Sequence, residues 1–340
     1  MLRLPQFGVE LPEDVSGVVA LLRARPGARI VAGGTDILPN LKHRLDEPPT
    51  LISLARVAEL RRLEVVKTDT DGGEALHIGA GMTLTEVAEH PLVREHFPSL
   101  AEAAGLVASP LIRNMGTIGG NLNLDTRCRY VNQTKFWREA IGGGCIKSEG
   151  NVCHVVPGGR NCVAAMSSDC VPVLISLDAE VELAGPEGTR SVAAAAYFKA
   201  DGTRHTVRED GELTTALRVP LATTPRRCAY VKWTVRKSID FPLISLALRF
   251  DLDGESKAVV GVRAVAGVLG AKPREISKLD DAVGKALKDP AVARIVSEAV
   301  FKQCKPLENV PYEAGYRRQM LKVHARWAIE ALAVAPGEEG

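Results

Sequence analysis

This chain of 340 residues has few aromatic residues and no large excess of charge of either sign. Phe, Trp and Tyr make up 4% of the sequence, too few to favour a stacking platform for nucleic-acid bases. The 43 Lys and Arg residues are balanced by 41 Asp and Glu residues, which leaves a formal charge of +2. We therefore expect no nucleic-acid partner and no attraction to an anionic membrane.

Long apolar segments are also missing. No run of about 18 apolar residues occurs, so the sequence predicts no membrane-spanning helix. Residues 1–14 contain no apolar segment of the kind found in secretory signals, and we expect a cytoplasmic location. With 46% hydrophobic and 25% charged residues, the chain is long enough to form two or three packed units.

The cysteines fall into two groups. Three lie in apolar runs, where cysteine is usually a small buried residue: Cys170, Cys228 and Cys304. Four lie within one polar, Gly-rich stretch of 35 residues: Cys128, Cys145, Cys153 and Cys162. Because no secretory signal is evident, structural disulfides are not expected. Four thiolates on one loop can converge on a metal, but their spacing does not distinguish zinc from a 4Fe-4S cluster. We interpret His154 as a loop histidine.

Hydrophobic periodicity predicts two α/β lobes and an antiparallel C-terminal unit. The first lobe, 1–60, is predicted to contain a helix over 14–25, a strand over 29–32, a short helix from 37 and a strand over 51–54. The second lobe, 61–220, is predicted to contain strands over 63–67 and 76–79 around a turn at 69–73, and helices over 84–89 and 98–107. Its regular pattern breaks at 126–166 and returns at 171–177 and 179–183. A loop of that length is improbable unless something holds it.

The rest of the chain is predicted to form a separate domain over 227–335. Residues 200–226, rich in charge, Thr and Pro, suit a linker with a last strand near 217–219. Three antiparallel strands with one solvated face are predicted over 228–235, 243–250 and 258–269. Helices are predicted over 281–287, 291–301 and 315–334.

Two glycine loops are candidates for cofactor binding. Gly33-Gly34-Thr35-Asp36 follows a strand and offers peptide N–H groups that suit a pyrophosphate. Thr117-Ile118-Gly119-Gly120-Asn121 is the second loop. Each alone is also typical of a plain turn or a strand kink, and no G-x-G-x-x-G pattern is present. Two such loops in one domain favour a dinucleotide bound between lobes.

Several motifs in order resemble the FAD-binding medium subunits of the xanthine-oxidase class of molybdenum enzymes. The segment 31–36 resembles the first flavin loop of that family, and 113–122 resembles the second. Ser168-Asp169 with Pro172 is similar to its Ser-Asp-x-x-Pro segment. A C-terminal Lys-x3-Arg-x3-Asp-Phe pattern is matched by Lys232, Arg236, Asp240 and Phe241. The resemblance covers nearly the whole chain.

One departure from most of that family lies between Asn121 and Ser168, which ordinary members separate by about a dozen residues. The four cysteines fall in this interval, and the insertion is similar to that of 4-hydroxybenzoyl-CoA reductase β subunits. Matching strings are Asp125-Thr126-Arg127-Cys128, Asn132-Gln133, Trp137-Arg138 and Cys153-His154-Val155. The resemblance implies a 4Fe-4S cluster on the four cysteines.

The resemblance also implies an α+β fold: a two-lobed FAD-binding domain of the PCMH/vanillyl-alcohol-oxidase type with an inserted iron-sulfur loop. A C-terminal domain like that of CO dehydrogenase flavoproteins, with a three-stranded antiparallel sheet and helices, would follow. The implied FAD-binding residues are Ala32, Gly33, Gly34, Thr35, Asp36, Thr117, Gly119, Gly120, Asn121, Asp125, Asp169 and Lys232. From the residues alone, Lys232 and Asp240 could instead form a solvated pair, and Asp169 could cap a helix. Trp137 could shield the cluster or anchor the loop.

The implied function is electron transfer, with no catalytic residue of this chain's own. Ferredoxin would reduce the 4Fe-4S cluster, and electrons would pass through FAD to partner 2Fe-2S clusters and molybdenum, where a phenolic hydroxyl is removed. A molybdopterin-binding large subunit and a 2Fe-2S small subunit would complete a heterotrimer, doubled by symmetry. Alternatives are the flavin subunit of an oxidative molybdenum hydroxylase, a zinc-stabilised binding protein and a self-sufficient flavin oxidase.

Overall fold

The computed structural model describes residues 2–68 and 73–334, and within them the chain forms three β-sheets flanked by helices. The predicted turn over 69–73 falls, apart from Gly73, outside the described residues. In the described ranges no helix is both long and apolar enough to cross a membrane.

The first lobe is a small parallel sheet with two helices. Its elements are β1 (Gly8–Glu10), α1 (Val15–Ala24), β2 (Arg29–Val31), α2 (Ile37–Lys42) and β3 (Thr50–Ser53). The strands pair in the order β1-β3-β2. Helix α1 begins where predicted, because the Asp14 carboxylate accepts a hydrogen bond of 2.6 Å from the Gly17 amide and caps the first turn. Val18 and Ile52 are fully buried in the core of this lobe.

The second lobe is built on a five-stranded antiparallel sheet. Its elements are β4 (Leu63–Lys67), β5 (Glu74–Gly79), α3 (Leu84–Glu89), α4 (Pro91–His96), α5 (Pro98–Gly105), α6 (Pro110–Arg113), α7 (Ile118–Leu122), α8 (Lys135–Ala140), α9 (Cys170–Ser176), β6 (Glu180–Gly185), β7 (Gly188–Ala193), α10 (Ala194–Tyr197) and β8 (Leu213–Pro220). The sheet order is β4-β5-β8-β6-β7. A short 3-10 turn at Ala58–Arg61 precedes it.

The last strand predicted near 217–219 is confirmed as part of β8, but the linker predicted around it over 200–226 is largely wrong. Strand β8 lies at the centre of the five-stranded sheet and pairs with both β5 and β6. Leu213, Leu217 and Val219 are buried, so apolar side chains at these positions outweigh the linker-like composition around them. The predicted helices over 84–89 and 98–107 are confirmed, and a capping box of Thr83 and Glu86 starts the first of them.

The C-terminal part consists of a second antiparallel sheet and two long helices. Its elements are β9 (Arg226–Trp233), β10 (Ile244–Leu252), β11 (Val259–Gly267), β12 (Arg274–Glu275), α11 (Pro290–Gln303) and α12 (Ala314–Ala333). The strand order is β12-β11-β10-β9. The sheet has four strands rather than the predicted three, because the two residues of β12 extend its edge.

Two further expectations for this region are wrong. Strand β10 has no solvated face, because helix α9 packs on one part of the sheet and α12 on another, and Ile244 to Phe250 are all buried. The helix predicted over 281–287 is only a 3-10 turn at Asp280–Ala282. Gly284 follows it with φ +82 and donates its amide to Val259 O at 2.8 Å, so the segment pairs with β11 instead.

The two large units share a core. Tyr230, Ala247 and Val265 of the C-terminal sheet belong to the same buried cluster as Leu174 and Leu217 of the second lobe. Burial of this shared apolar surface holds β9 against the start of α9. The position of Lys232 on β9 relative to Asp169 is therefore fixed by packing.

Candidate functional site

The first glycine loop packs on the backbone at Met115 and Gly116, immediately before the second loop. A side chain at Gly33 would overlap the carbonyl of Met115, and one at Gly119 would overlap Ala80. Gly34 has φ +74, a conformation that glycine adopts without strain. Thr117 caps α7 by accepting a hydrogen bond of 3.0 Å from the Gly120 amide. The structure thus brings the predicted loops 32–36 and 117–121 to one place, although neither is close to the other in sequence.

Asp36 links the first loop to the start of the insertion. It occupies the cap position of α2, but its carboxylate makes no cap hydrogen bond. Its Oδ2 instead accepts a bond of 3.3 Å from the Asp125 amide, and its Oδ1 forms an ion pair with the guanidinium of Arg127. Arg127 also donates to Asn40 Oδ1 at 3.2 Å and lies over the ring of Phe241, 4.8 Å from its centroid.

Asn121 connects the second loop to the Ser-Asp-x-x-Pro segment. Its Oδ1 accepts hydrogen bonds from Ser168 Oγ at 2.6 Å and from the Cys170 amide at 3.3 Å. Ser168 Oγ in turn accepts from the Val171 amide at 3.2 Å. The side-chain oxygen of Asn121 is therefore engaged inside the protein and serves to cap α9.

Asp169 and Lys232 form a buried ion pair. The distance from Lys232 Nζ to Asp169 Oδ1 is 3.1 Å, and both side chains are under 10% exposed. Lys232 also donates to Leu106 O at 2.8 Å, and Tyr230 donates to Asp169 Oδ1 at 2.7 Å. Burial raises the pKa of Asp169 to about 6, while the charge of Lys232 opposes this rise.

Both simpler interpretations of these residues are wrong. Asp169 stands at the start of α9 but makes no side-chain cap bond. Asp240 is paired with Arg236, whose amide donates to it at 3.0 Å, rather than with Lys232. The two residues expected near the flavin thus meet each other across 63 positions of sequence.

The four cysteines of the insertion surround one small cavity. Each is less than 10% exposed: Cys128, Cys145, Cys153 and Cys162. The cavity is completed by Tyr130, Ile146 and His154. His154 packs on Tyr130 with 5.3 Å between ring centroids, so it lines the cavity, as a loop histidine can.

Hydrogen-bond donors reach the sulfur of every one of these cysteines. The Val156 amide donates to Cys153 Sγ and the Ala164 amide to Cys162 Sγ, both at 3.4 Å. Ser148 Oγ donates to Cys145 Sγ at 3.8 Å. Backbone amides of Tyr130 and Val131 bond the sulfur of Cys128. Such donors stabilise negative charge on sulfur.

Burial raises the pKa of two of these thiols, Cys128 and Cys162. It raises the pKa of Cys128 to about 11, with a further rise from the neighbouring Cys145 and Cys162. It also raises the pKa of Cys162, where the charge of Lys147 works in the opposite direction. All seven cysteines are free thiols. Among residues 2–68 and 73–334, no three His, Cys, Asp or Glu side chains are grouped so as to hold a single metal ion.

Two residues beside the cavity carry no recognisable sequence signal. Lys147, whose side chain is 9% exposed, pairs with Asp125 Oδ1 at 2.7 Å and donates to Gly202 O. Gly202 is buried, and a side chain there would lie 2.8 Å from Cys162 Sγ. A residue of the segment assigned from its composition to a linker therefore packs directly on one of the four cysteines.

A third residue anchors the insertion to the first lobe. Arg138 is 1% exposed and donates to His43 O and Arg44 O, both at 3.1 Å. It also donates to Gln133 O at 2.7 Å and to Glu149 Oε1 at 2.6 Å. The hydrogen bond from Arg138 lowers the pKa of Glu149 to about 2. Trp137, beside it on α8, is half-buried.

Comparison with known proteins identifies the fold. The family model for the FAD binding domain in molybdopterin dehydrogenase matches residues 5–222. The carbon monoxide dehydrogenase medium chain of Afipia carboxidovorans is 31% identical over 95% of this chain and 96% of its own length. The aldehyde oxidoreductase FAD-binding subunit PaoB of Escherichia coli is 35% identical over 69% of this chain and 74% of its own.

Solved structures agree with these relatives. A chain of carbon monoxide dehydrogenase from Hydrogenophaga pseudoflava superposes with a TM-score of 0.77 at 25% identity, covering 97% of this chain and 98% of that one. A chain of the reconstituted CO dehydrogenase from Oligotropha carboxidovorans gives the same TM-score at 26% identity, covering 98% and 100%. The predicted α+β fold with a PCMH-type FAD-binding domain is confirmed.

Proposed function

Because this chain belongs to the family of FAD-binding domains in molybdopterin dehydrogenases, we propose that it is the FAD- and 4Fe-4S-containing electron-transfer subunit of a molybdenum enzyme. The observation that carries the iron-sulfur part is the convergence of four buried cysteines on one cavity. They lie in an insertion between Asn121 and Ser168, whose side chains are hydrogen-bonded to each other.

The residues around the two loops fit a flavin dinucleotide. Gly33, Gly34 and the backbone up to Asp36 would bind the pyrophosphate, since this loop is partly exposed and has no bulky side chain at its glycines. The isoalloxazine would lie near Gly119 to Asn121 and the Asp169–Lys232 pair. Thr117 and Asn121 keep the second loop in shape through their internal hydrogen bonds.

The four cysteines offer the thiolate set that either a zinc ion or a cubane cluster needs, and the choice of a cubane rests on the resemblance of the insertion to that of 4-hydroxybenzoyl-CoA reductase β subunits. Zinc would draw four sulfurs to within about 4 Å of one another, given a Zn–S distance near 2.3 Å. A cubane is larger. The four cysteines line one cavity with a donor at each sulfur.

When bound, these cofactors would supply one-electron and two-electron transfer, from ferredoxin through 4Fe-4S and FAD to the 2Fe-2S centres and molybdenum of partner subunits. Those partners would be a molybdopterin-binding large subunit and a 2Fe-2S small subunit in a doubled heterotrimer. The cysteine insertion, similar to that of 4-hydroxybenzoyl-CoA reductase β subunits, supports reductive dehydroxylation of a phenolic acyl-CoA. This chain's own residues bind the cofactors, orient them and exclude water.

A second candidate is the flavin subunit of an oxidative molybdenum hydroxylase. The names of the relatives favour it, since they include a carbon monoxide dehydrogenase medium chain and an aldehyde oxidoreductase FAD-binding subunit. In that case electrons would flow outward from molybdenum. Activity of the holoenzyme decides between the two: reduced ferredoxin with a hydroxylated aromatic acyl-CoA tests the first, and an artificial acceptor with an aldehyde or heterocycle tests the second.

Cofactor analysis of cysteine variants tests the subunit assignment itself. The anaerobically purified protein should contain about four irons and four sulfides per chain together with FAD. Cys128→Ser and Cys153→Ser should each lose the iron and keep the flavin, because the cysteines and the glycine loops occupy different segments. Cys304→Ser, in the C-terminal core, is the matched control and should keep both. Zinc in place of iron, or loss of flavin with retention of iron, would contradict the assignment.

A further inference from the structure

Lys147 is a buried cation beside the proposed cluster site. Its side chain is 9% exposed, and a lysine is seldom buried without a function or a partner. It has two partners, Asp125 Oδ1 and Gly202 O. Neither partner is one of the four cysteines, so cluster ligation by itself does not account for the buried charge of Lys147.

Gly202 places the ammonium close to one of the four sulfurs. The Gly202 amide donates to Cys162 O at 2.8 Å, and a side chain at Gly202 would lie 2.8 Å from Cys162 Sγ. Lys147 bonds the carbonyl of this same glycine.

The counter-charge of Lys147 is the carboxylate of Asp125. The amide of Asp125 in turn donates to Asp36 in the first glycine loop. The other ionisable groups facing this position are Asp201, whose carboxylate accepts from the Cys162 amide at 3.2 Å, and the half-buried His205. Lys147 is thus bonded to the glycine that packs on Cys162, and Asp125 links it to the first glycine loop.

We propose that Lys147 is a positioning residue that raises the reduction potential of the 4Fe-4S cluster by placing a positive charge beside Cys162. Adding an electron makes a cluster more negative, and a nearby fixed cation in a poorly solvated site stabilises that state. Asp125 sets how much of this charge the cluster experiences. The inference rests on the proposed function, because it needs the cluster to be present.

Redox titration of the holoenzyme, followed by the electron paramagnetic resonance signal of the reduced cluster, tests this. Lys147→Met should shift the midpoint potential of the cluster to a more negative value. Lys147→Arg, which keeps the positive charge, should have a potential close to that of the wild type. Asp125→Asn should shift it in the positive direction, because it removes the opposing charge. Lys135→Met, at an exposed position of α8 in the same insertion, should cause no shift.

Opposite shifts in the Lys147 and Asp125 variants would support the inference. An unchanged potential in Lys147→Met with the cluster retained would overturn it. If Lys147→Met loses its iron, Asp125→Asn decides alone: a positive shift supports the role and no shift overturns it. A wild-type holoenzyme without a 4Fe-4S signal would instead refute the proposed function, and so the two failures are distinguishable.

Discussion

Replacing Arg138 with Met should loosen the insertion where it meets His43 and Arg44 of the first lobe, while the contacts of Arg127 with Asp36 and Asn40 remain. The guanidinium is 1% exposed and donates to the carbonyls of His43, Arg44 and Gln133 as well as to Glu149. Methionine keeps most of the apolar stem but donates no hydrogen bond. The backbone carbonyls that the arginine joined would then lose their common partner.

The expected cost can be worked out bond by bond. A hydrogen bond contributes about 1 kcal/mol net, and more when its donor is charged. Three carbonyl acceptors therefore account for about 3 kcal/mol. The Glu149 side chain is 45% exposed and can return to water, so its pair adds about 1 kcal/mol or less. We expect a local loss of about 3 kcal/mol, confined to the insertion and to the residues His43 and Arg44 that Arg138 contacts.

Hydrogen exchange measured by mass spectrometry would detect this loss. Peptides from 127–165 should exchange about 100-fold faster in Arg138→Met, since each 1.4 kcal/mol is a factor of ten, while peptides from β10 and α12 should be unchanged. Arg160→Met, at an exposed position of the same insertion, is the matched control. Unchanged protection of 127–165, or an equal loss in β10, would refute the reasoning.

Two further predictions concern the glycine that packs on Cys162 and the buried ion pair. Gly202→Ala should reduce the iron content and keep FAD, because the added methyl group would lie 2.8 Å from Cys162 Sγ. Gly254→Ala, where no neighbour lies within 4 Å, should keep both, and full iron in Gly202→Ala would count against a cluster at Cys162. The raised pKa of Asp169, about 6 against the ordinary 3.8, means that the folded state holds this proton more tightly than the unfolded state does. The free energy of unfolding should therefore fall by about 3 kcal/mol as the pH rises from about 4 to about 6. Denaturant titrations should show this slope in the wild type and its loss in Asp169→Asn; a parallel pH dependence in both proteins would show that Asp169 is not its source.

Local sequence signals predicted the elements that form from neighbouring residues. Asp14 ahead of apolar residues at helical spacing indicated the start of α1, and Asp14 caps this helix through a hydrogen bond from the Gly17 amide. The strands of the first lobe follow their apolar runs. The wrong helix over 281–287 shows the limit of this reasoning. The apolar spacing of this segment suits a helix, but Gly284 instead donates a hydrogen bond to Val259 O. A partner so distant in sequence cannot be inferred from local spacing.

Composition was misleading where a polar segment has a partner far away. The charge, Thr and Pro content of 200–226 suggested a linker, yet β8 is the central strand of its sheet and Gly202 packs on Cys162. Strand β10 alternates in a way that suggested one solvated face, but helices cover both. In each case packing between elements outweighed the local preference.

The sequence alone determined the kinds of groups available: glycine loops, four clustered cysteines and an ordered set of family motifs that together indicated a flavin-binding fold. Only the tertiary structure decided which groups meet. It joined Asp169 to Lys232, Lys147 to the glycine beside Cys162, and Arg138 to the carbonyls of the first lobe. The physical reason is that periodicity and capping act over a few residues, whereas these contacts depend on how sheets and helices pack over tens of residues.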